Sequence, residues 1–185
     1  GSSSEYGSAP VPHNEDDNCL PLSNYGKSKL KSTNYFLKIC KKKNFPGTLI
    51  RLFQVYGKNQ SIDKIIPFLI KNCKENRKFK LTSGHQTRDF CYIEDVTDAI
   101  FRLFIKSKKI NGEIFNIASG RCISIKKLTK LIQKKIKGGR PVLGALKVKK
   151  YDIKKSHASV KKIKKIVKWS PKFNLNKGLD LLIKE

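Results

Sequence analysis

A tyrosine and a lysine four residues apart carry the clearest chemical signal in this sequence. Tyr25-Gly-Lys-Ser-Lys29 stands where the pattern of residues predicts the start of a helix. Residues at this spacing share one helical face, so the ammonium of Lys29 would favour the ionised form of the Tyr25 hydroxyl. A phenol tuned in this way can accept and return a proton near neutral pH. The pair therefore indicates proton transfer.

The charge balance raises the question of an anionic partner. The chain has 41 Lys and Arg residues against 14 Asp and Glu, and a net charge of +27. Such a surface is typical of proteins that bind nucleic acid by releasing counterions. However, only six of these cations are arginine, and the lysines are spread over nearly every segment. We therefore predict no nucleic-acid partner, and keep a cofactor-free basic protein that binds nucleic acid or an acidic partner as the alternative.

The cysteines and apolar runs bear on location. Five cysteines, at positions 19, 40, 73, 91 and 122, form no Cys-x-x-Cys pair, and the histidines do not cluster. This pattern predicts reduced thiols and no metal site. No run approaches the ~18 apolar residues of a membrane span, and no basic-then-apolar leader opens the chain. We expect a cytoplasmic protein and, because the sequence has no methionine, a piece of a longer one.

Predicted strands and helices alternate along the chain. The strands cover 48–56, 79–81, 90–93 and 113–119, and the helices 25–40, 62–72, 95–105, 125–136, 160–167 and 175–184. This alternation is typical of parallel βαβ units, and predicts an α/β fold. Ligands of such sheets gather at the carboxyl ends of strands, where Gln54, Tyr56 and Ser119 would lie. Asp95 and Ser124 are predicted helix caps. Residues 138–141 are predicted to interrupt the regular secondary structure.

Six ordered blocks run along essentially the whole chain. They are Gly1-Ser-Ser-Ser-Glu-Tyr-Gly7, Pro21-Leu-Ser-Asn-Tyr-Gly-Lys-Ser-Lys29, Arg51-Leu-Phe-Gln-Val-Tyr-Gly57, Thr87-Arg-Asp-Phe-Cys-Tyr-Ile-Glu-Asp-Val96, Gly112-Glu-Ile-Phe-Asn-Ile-Ala-Ser-Gly120, and Trp169-Ser-Pro171 followed by Gly178-Leu179. In this order they closely resemble the extended short-chain dehydrogenase/reductases, the NAD-dependent epimerase/dehydratase family that remodels nucleotide-activated sugars. The resemblance implies a Rossmann-like parallel sheet with a small α+β substrate domain.

The resemblance also implies roles for single residues. Tyr25 would take the proton from a sugar hydroxyl while hydride passes to NAD or NADP, and Lys29 would also bond the nicotinamide ribose. Phe53 would lie at the cofactor. Gln54 would reach the substrate's phosphate, where many members have asparagine, and Arg88 would grip the diphosphate in a bidentate manner. A salt bridge from Arg88 to Asp89 or Asp95 is the alternative to this role.

The serine that completes the site has two possible registers. Counting four residues back from Tyr6 selects Ser2, whereas a one-residue deletion relative to the commoner pattern would select Ser3. We favour Ser2 as the hydrogen-bond donor to the reacting oxygen. In that register the two further side chains that dehydratases use would be Ser3 and Ser4, which carry no carboxylate. In the other register Glu5 would occupy the second of these sites, so dehydration is disfavoured and not excluded.

The family pattern predicts four segments. Residues 1–60 would be the C-terminal part of the dinucleotide-binding domain with the Tyr/Lys helix, and 61–110 a substrate-domain segment with its return helix. Residues 111–120 would form the last Rossmann-type strand, and 121–185 the substrate-binding domain. The family's glycine motif for the pyrophosphate is absent from the 185 residues, so we expect this piece alone neither to hold NAD tightly nor to turn over.

The tail departs from the family pattern. Ser159 stands where an aspartate is common, Lys168 replaces the glycine before Trp169, and Ser156 and His157 lie where a nucleotide-contacting arginine is expected. These differences leave the nucleoside unassigned.

The sequence therefore predicts an NAD(P)-dependent nucleotide-sugar 4-epimerase or 4-keto-sugar reductase. A nucleotide-sugar 4,6-dehydratase is the alternative within the family, and a remnant that keeps the fold without the cofactor half is a third possibility. The resemblance also implies a homodimer that pairs through the helix bearing Tyr25 and Lys29.

Overall fold

Helices and short strands alternate through residues 1–184, the part of the chain that the structure, a computed structural model, describes. The helices are α1 (Asn24–Lys43), α2 (Ile65–Lys74), α3 (Ile93–Ile105), α4 (Ile125–Ile136), α5 (Lys161–Val167) and α6 (Leu175–Ile183). The strands are β1 (Leu49–Leu52), β2 (Gln54–Tyr56), β3 (Lys78–Lys80), β4 (Thr87–Arg88), β5 (Phe90–Tyr92), β6 (Ile114–Ile117), β7 (Ile123–Ser124) and β8 (Arg140–Val142). Two 3-10 turns cover Ser3–Glu5 and Ser107–Lys109. This order confirms the predicted α/β class.

Three of the four strand pairs are parallel. β1 pairs with β6, β2 with β5 and β3 with β8, whereas β4 and β7 are antiparallel. Ser2 adds a parallel bridge to Leu52 at the carboxyl end of β1. Parallel strands need a crossover between them, which α2 and α3 supply. The carboxyl ends of β1 and β6 lie side by side at the Leu52–Ile117 pair, which brings the segments that follow them together.

The single strand predicted over 48–56 is wrong at Phe53. The chain leaves the β6 ladder after Leu52 and joins β5 from Gln54 onward, so β1 and β2 have different partners. The Phe53 amide donates a last hydrogen bond to the Ile117 carbonyl at 3.2 Å. The break between β1 and β2 could not be predicted from the sequence, because the apolar run continues through Phe53.

Helix starts were predicted with mixed success. Ser124 caps α4, and its hydroxyl accepts a hydrogen bond from the Lys127 amide. Asp95 is not a cap: α3 begins at Ile93, and the buried Asp95 carboxylate accepts hydrogen bonds from the Lys172 and Phe173 amides at 2.8 and 3.0 Å. Two donors from a distant loop satisfy a buried carboxylate that a local cap would have left near solvent.

The predicted break at residues 138–141 also contains a strand. Gly139 adopts a positive φ of 87°, which turns the chain, and β8 then pairs with β3. Pro141 has no backbone amide donor, and β8 tolerates this because a strand at the edge of a sheet can leave one ladder position unpaired.

The apolar side chains form three clusters. One packs α2, α4 and α6 together around Leu69 and Leu128, and a second lies beneath α3 and α5 around Phe115 and Trp169. The third is small and joins Tyr6 and Ala9 of the N-terminal segment to three residues from distant segments, Phe53, Ala118 and Ala158. Each large side chain buried in this way contributes about 1.5–3 kcal/mol. The small third cluster lies directly under the segment with the candidate serines.

None of the helices in residues 1–184 combines the length and apolar composition that crossing a bilayer requires. All five cysteines are free thiols.

Candidate active site

The first residues form a 3-10 turn that carries both candidate serines. The Ser2 Oγ accepts a hydrogen bond from the Ser4 amide at 3.2 Å, and the Glu5 carboxylate accepts one from the Ser2 amide at 2.7 Å. This reciprocal capping box fixes the backbone of the turn. Ser3 is buried and Ser2 only half-buried. Since the Ser2 Oγ serves as an acceptor within the turn, its proton remains free to donate, which favours Ser2 over Ser3.

The first turn of α1 packs against this serine turn. Ser23 caps α1 by accepting a hydrogen bond from the Gly26 amide at 3.0 Å. A Cβ added to Gly26 would lie 2.5 Å from the Ser4 carbonyl oxygen, so only glycine allows this approach. Tyr25, the residue before it, is 60% exposed, and Lys29 lies one turn later, half-buried. The Tyr/Lys segment and the serine turn are therefore neighbours.

The charge of Lys29 reaches the start of the chain. The Lys29 ammonium lies close enough to Gly1 for an electrostatic interaction with it. Lys29 has no ion-pair or hydrogen-bond partner recorded among residues 1–184. Its three donors are therefore available to a ligand placed between Lys29 and the serine turn.

Phe53 and Gln54 occupy the switch from β1 to β2. The Phe53 ring is buried against the Tyr6 ring, with 6.2 Å between centroids, so Phe53 offers no exposed side chain to a cofactor. Gln54 is exposed and stands opposite Phe90 in the parallel register. Phe90 follows Arg88 by two residues in the chain, although Arg88 itself belongs to β4, whose partner strand is β7.

The Arg88 guanidinium is engaged with the loop that follows β8. It donates to the Ile153 carbonyl at 2.7 Å and to the Thr87 carbonyl at 2.8 Å, and forms a salt bridge with Asp152. The salt-bridge partners suggested by the sequence, Asp89 and Asp95, are wrong, because both carboxylates bind backbone amides instead. Asp152 carried no recognisable signal, since it is 64 residues away in sequence.

Asp89 ties three segments together beside Arg88. Its buried carboxylate accepts hydrogen bonds from the Ser119 hydroxyl and amide, the Gly120 amide at 3.0 Å and the Ala158 amide at 3.3 Å. Burial raises the pKa of Asp89, and these donors oppose that rise. The two neighbouring residues therefore bond different segments. Arg88 binds the loop after β8, and Asp89 links the end of β4 to the segment after β6 and to Ala158.

A buried ion pair supports the serine turn from below. Glu5 and Arg51 are 0% and 3% exposed, and the Arg51 Nε donates to a Glu5 carboxylate oxygen at 3.0 Å. The Glu5 carboxylate is therefore shielded from solvent and engaged by Arg51. The family pattern implied no role for Arg51, although a charged residue inside an apolar strand indicates a buried partner.

Of the four tail residues that differ from the family pattern, two are buried, His157 is half-buried and Lys168 is exposed. Ser156 and Ser159 are buried, and Trp169 is 1% exposed. His13 contributes a buried ring that stacks on Tyr6, with 4.6 Å between centroids. Residues 1–184 contain no cluster of histidine, cysteine and carboxylate side chains that could hold a metal ion.

The NAD dependent epimerase/dehydratase family model matches residues 1–118, which include the serine turn, α1, Arg51 and Arg88. The chain belongs to this family. The match covers the elements that carry every predicted site residue, and confirms the family resemblance seen in the sequence blocks.

The epimerase/dehydratase relatives differ in reaction. The chain is 30% identical over 185 residues to the dTDP-4-dehydro-6-deoxyglucose reductase of Escherichia coli, covering 97% of this chain and 57% of the relative. It is also 30% identical over 185 residues to the UDP-glucuronate 4-epimerase of Thermodesulfobacterium geofontis, covering 96% of this chain and 54% of that relative. The chain also superposes on a solved structure of the Bacillus cereus UDP-glucuronic acid 4-epimerase in complex with UDP-glucuronic acid and NAD. The TM-score is 0.89 at 30% identity, and the superposition covers 97% of this chain and 57% of that structure's chain.

The chain thus spans a little over half the length of these family members. The superposition confirms the Rossmann-like fold class. Because reductases and epimerases match equally well, membership of the family does not by itself select a reaction.

Proposed function

We propose that these residues form the catalytic and substrate-binding part of an NAD(P)-dependent nucleotide-sugar 4-epimerase or 4-keto-sugar reductase. The observation that carries the proposal is the close contact between Gly26 and the Ser4 carbonyl. It sets the exposed Tyr25 phenol and the half-buried Ser2 hydroxyl on adjoining segments. A proton acceptor and a hydrogen-bond donor so placed can act on one sugar oxygen.

Each residue has a defined task in this proposal. Tyr25 removes the proton from the sugar hydroxyl, or returns it to the ketone oxygen, and Ser2 donates a hydrogen bond to the same oxygen. Lys29 holds positive charge next to the phenol and donates to the nicotinamide ribose. When bound, NAD or NADP supplies the hydride transfer at the same carbon.

The nicotinamide fits the residues that this chain presents. Lys29 is an ammonium without a carboxylate partner among residues 1–184, and the Tyr25 ring is mostly in solvent. Phe53 contributes less than the family resemblance implies, since its ring is buried and its amide already bonds Ile117. The glycine motif for the pyrophosphate is not within these 185 residues, so we expect tight cofactor binding only in a longer polypeptide that supplies it.

Substrate binding is assigned to the Arg88 side of the site. Gln54 would reach a phosphate oxygen, and Arg88 would bind the diphosphate with two parallel donors. A 4,6-dehydratase is less well supported, because Ser3 and Ser4 carry no carboxylate and Glu5 is fully buried.

The test compares two tyrosines of α1. The longest natural polypeptide that contains these residues is assayed with NAD+ or NADPH and with UDP-glucuronic acid, UDP-glucose and dTDP-4-dehydro-6-deoxyglucose. Tyr25→Phe should lower turnover at least about 100-fold without changing the circular dichroism spectrum. Tyr35→Phe is the matched control, since Tyr35 is also exposed on α1. Full activity of Tyr25→Phe, or an equal loss in both variants, would remove Tyr25 from the proposed role.

A further inference from the structure

Glu5 joins three elements through one carboxylate. One of its oxygens accepts a hydrogen bond from the Ser2 amide at 2.7 Å. The other accepts from the Thr33 hydroxyl at 2.9 Å and from the Arg51 Nε at 3.0 Å. Ser2 begins the serine turn, Thr33 belongs to α1 and Arg51 to β1. The carboxylate is 0% exposed, so protein donors take the place of water around it.

Thr33 extends the stripe of α1 that begins at Tyr25. Tyr25, Lys29 and Thr33 follow one another at intervals of four residues, which places them along one face of the helix. Thr33 is 2% exposed and Tyr25 60% exposed, so the stripe runs from solvent into the interior. Its inner end is bonded to the same carboxylate that holds the Ser2 amide.

The ion pair makes this junction rigid. Arg51 is 3% exposed, donates through Nη1 to the Glu15 carbonyl at 3.1 Å, and lies 4.6 Å above the Tyr6 ring. The Tyr6 hydroxyl in turn donates to Asn116 at 2.8 Å. Because a buried carboxylate that loses a donor pays a large desolvation cost, the turn cannot shift without disturbing the whole junction.

We propose that Glu5 is a positioning residue that sets the separation between the Ser2 hydroxyl and the Tyr25 face of α1. It acts through the Ser2 amide and the Thr33 hydroxyl, and touches no substrate. The proposal rests on the function proposed above, in which Ser2 and Tyr25 meet one sugar oxygen. A small displacement of either group would lower the rate of the chemical step more than it would weaken substrate binding.

Two buried helical threonines provide a matched test. Thr33→Val removes one donor from Glu5, whereas Thr129→Val removes the hydroxyl of an equally buried threonine in α4 that bonds only the Ile125 carbonyl. Hydrogen exchange of the Ser2 and Ser4 amides, measured by NMR, should become about tenfold faster in Thr33→Val. It should stay unchanged in Thr129→Val and return toward the wild-type rate in Thr33→Ser.

Kinetics of the longest natural polypeptide complete the test. Thr33→Val should lower kcat about tenfold with an unchanged KM, and Thr129→Val should change neither. Exchange no faster in Thr33→Val than in Thr129→Val, or an unchanged kcat, overturns the positioning role. Full activity of Tyr25→Phe would instead overturn the proposed function, while faster exchange in Thr33→Val would still establish that Glu5 holds the turn through α1.

Discussion

Arg51 and Arg88 hold two regions of this molecule in different ways. Arg51 lies beneath the serine turn, almost fully buried, and pairs with a carboxylate that is itself 0% exposed. Arg88 lies at the loop after β8, and the side chains of its pair with Asp152 are 16% and 24% exposed. In both pairs the arginine lies on a strand and the carboxylate on a turn or loop, but only the Arg88 pair is open to water.

The difference separates structural from binding roles. A fully buried pair is strongly destabilised when one partner is removed, because the other is left as an uncompensated charge. A partly exposed pair can exchange its carboxylate for another anion at little cost, since water already shares the site. We therefore expect the Arg51 region to fix geometry and the Arg88 region to bind substrate.

Removing Arg51 should give the largest effect. Arg51→Met leaves the Glu5 carboxylate buried without its counterion, and should lower the free energy of unfolding by about 3–5 kcal/mol. Arg88→Met should lower it by about 1–2 kcal/mol, because Asp152 can be hydrated. Urea unfolding followed by circular dichroism measures both. If Arg51→Met does not fold, the milder Arg51→Lys replaces it, and equal losses at the two positions would contradict the comparison.

Changing the Arg88 head group should weaken anion binding without unfolding the protein. Arg88→Lys keeps the charge and loses the paired donors, so affinity for UDP should fall about tenfold by isothermal titration calorimetry. Arg102→Lys is the control, because Arg102 forms a salt bridge with Asp98 on α3. The same affinity in both variants would argue against diphosphate binding by Arg88.

Removing the Asp152 carboxylate, which competes for Arg88, should change the affinity for UDP less than Arg88→Lys does, and should raise it. Asp152→Asn deletes the charge that Arg88 now binds, and should raise affinity for UDP severalfold by leaving the guanidinium free. The gain should shrink as salt is added, because the site is partly exposed. A loss of affinity would mean that Asp152 is needed to orient Arg88.

The smallest expected effect is a change in how folding stability depends on pH, and it arises from His13 in the Arg51 region. Burial lowers the pKa of His13 below its ordinary value of 6.5, and the charges of His157 and Arg51 lower it further, whereas the Pro10 backbone and the Asp17 carboxylate oppose the shift. The unfolded chain then binds the proton first, so stability is lost as pH falls from about 6.5 toward the lower folded value. His13→Phe keeps the stacked ring and should remove this loss.

Urea unfolding at pH 7.5 and 5.5 measures the difference for both proteins. The other two histidines are present in both proteins. An equal pH dependence in the wild type and the variant would place the titration elsewhere.

The alternation of helices and strands was predictable because it rests on local periodicity. The helix from Tyr25, the cap at Ser124 and the carboxyl-end position of Ser119 follow from spacing and residue type alone. The predictions failed where a distant partner decided the outcome. Asp95 became a loop anchor through the Lys172 and Phe173 amides, and the run through Phe53 broke because β1 and β2 pair with different strands.

The sequence by itself determined the family, the α/β class and the position of Tyr25 and Lys29 one turn apart on a helix, since ordered blocks and helical periodicity are local in the chain. Only the tertiary structure decided that Glu5 is a buried support bound to Thr33 and Arg51, and that Arg88 pairs with Asp152. The physical reason is that burial and hydrogen-bond partners depend on which distant segments meet, and residue types that can be catalytic or structural are separated only by that environment.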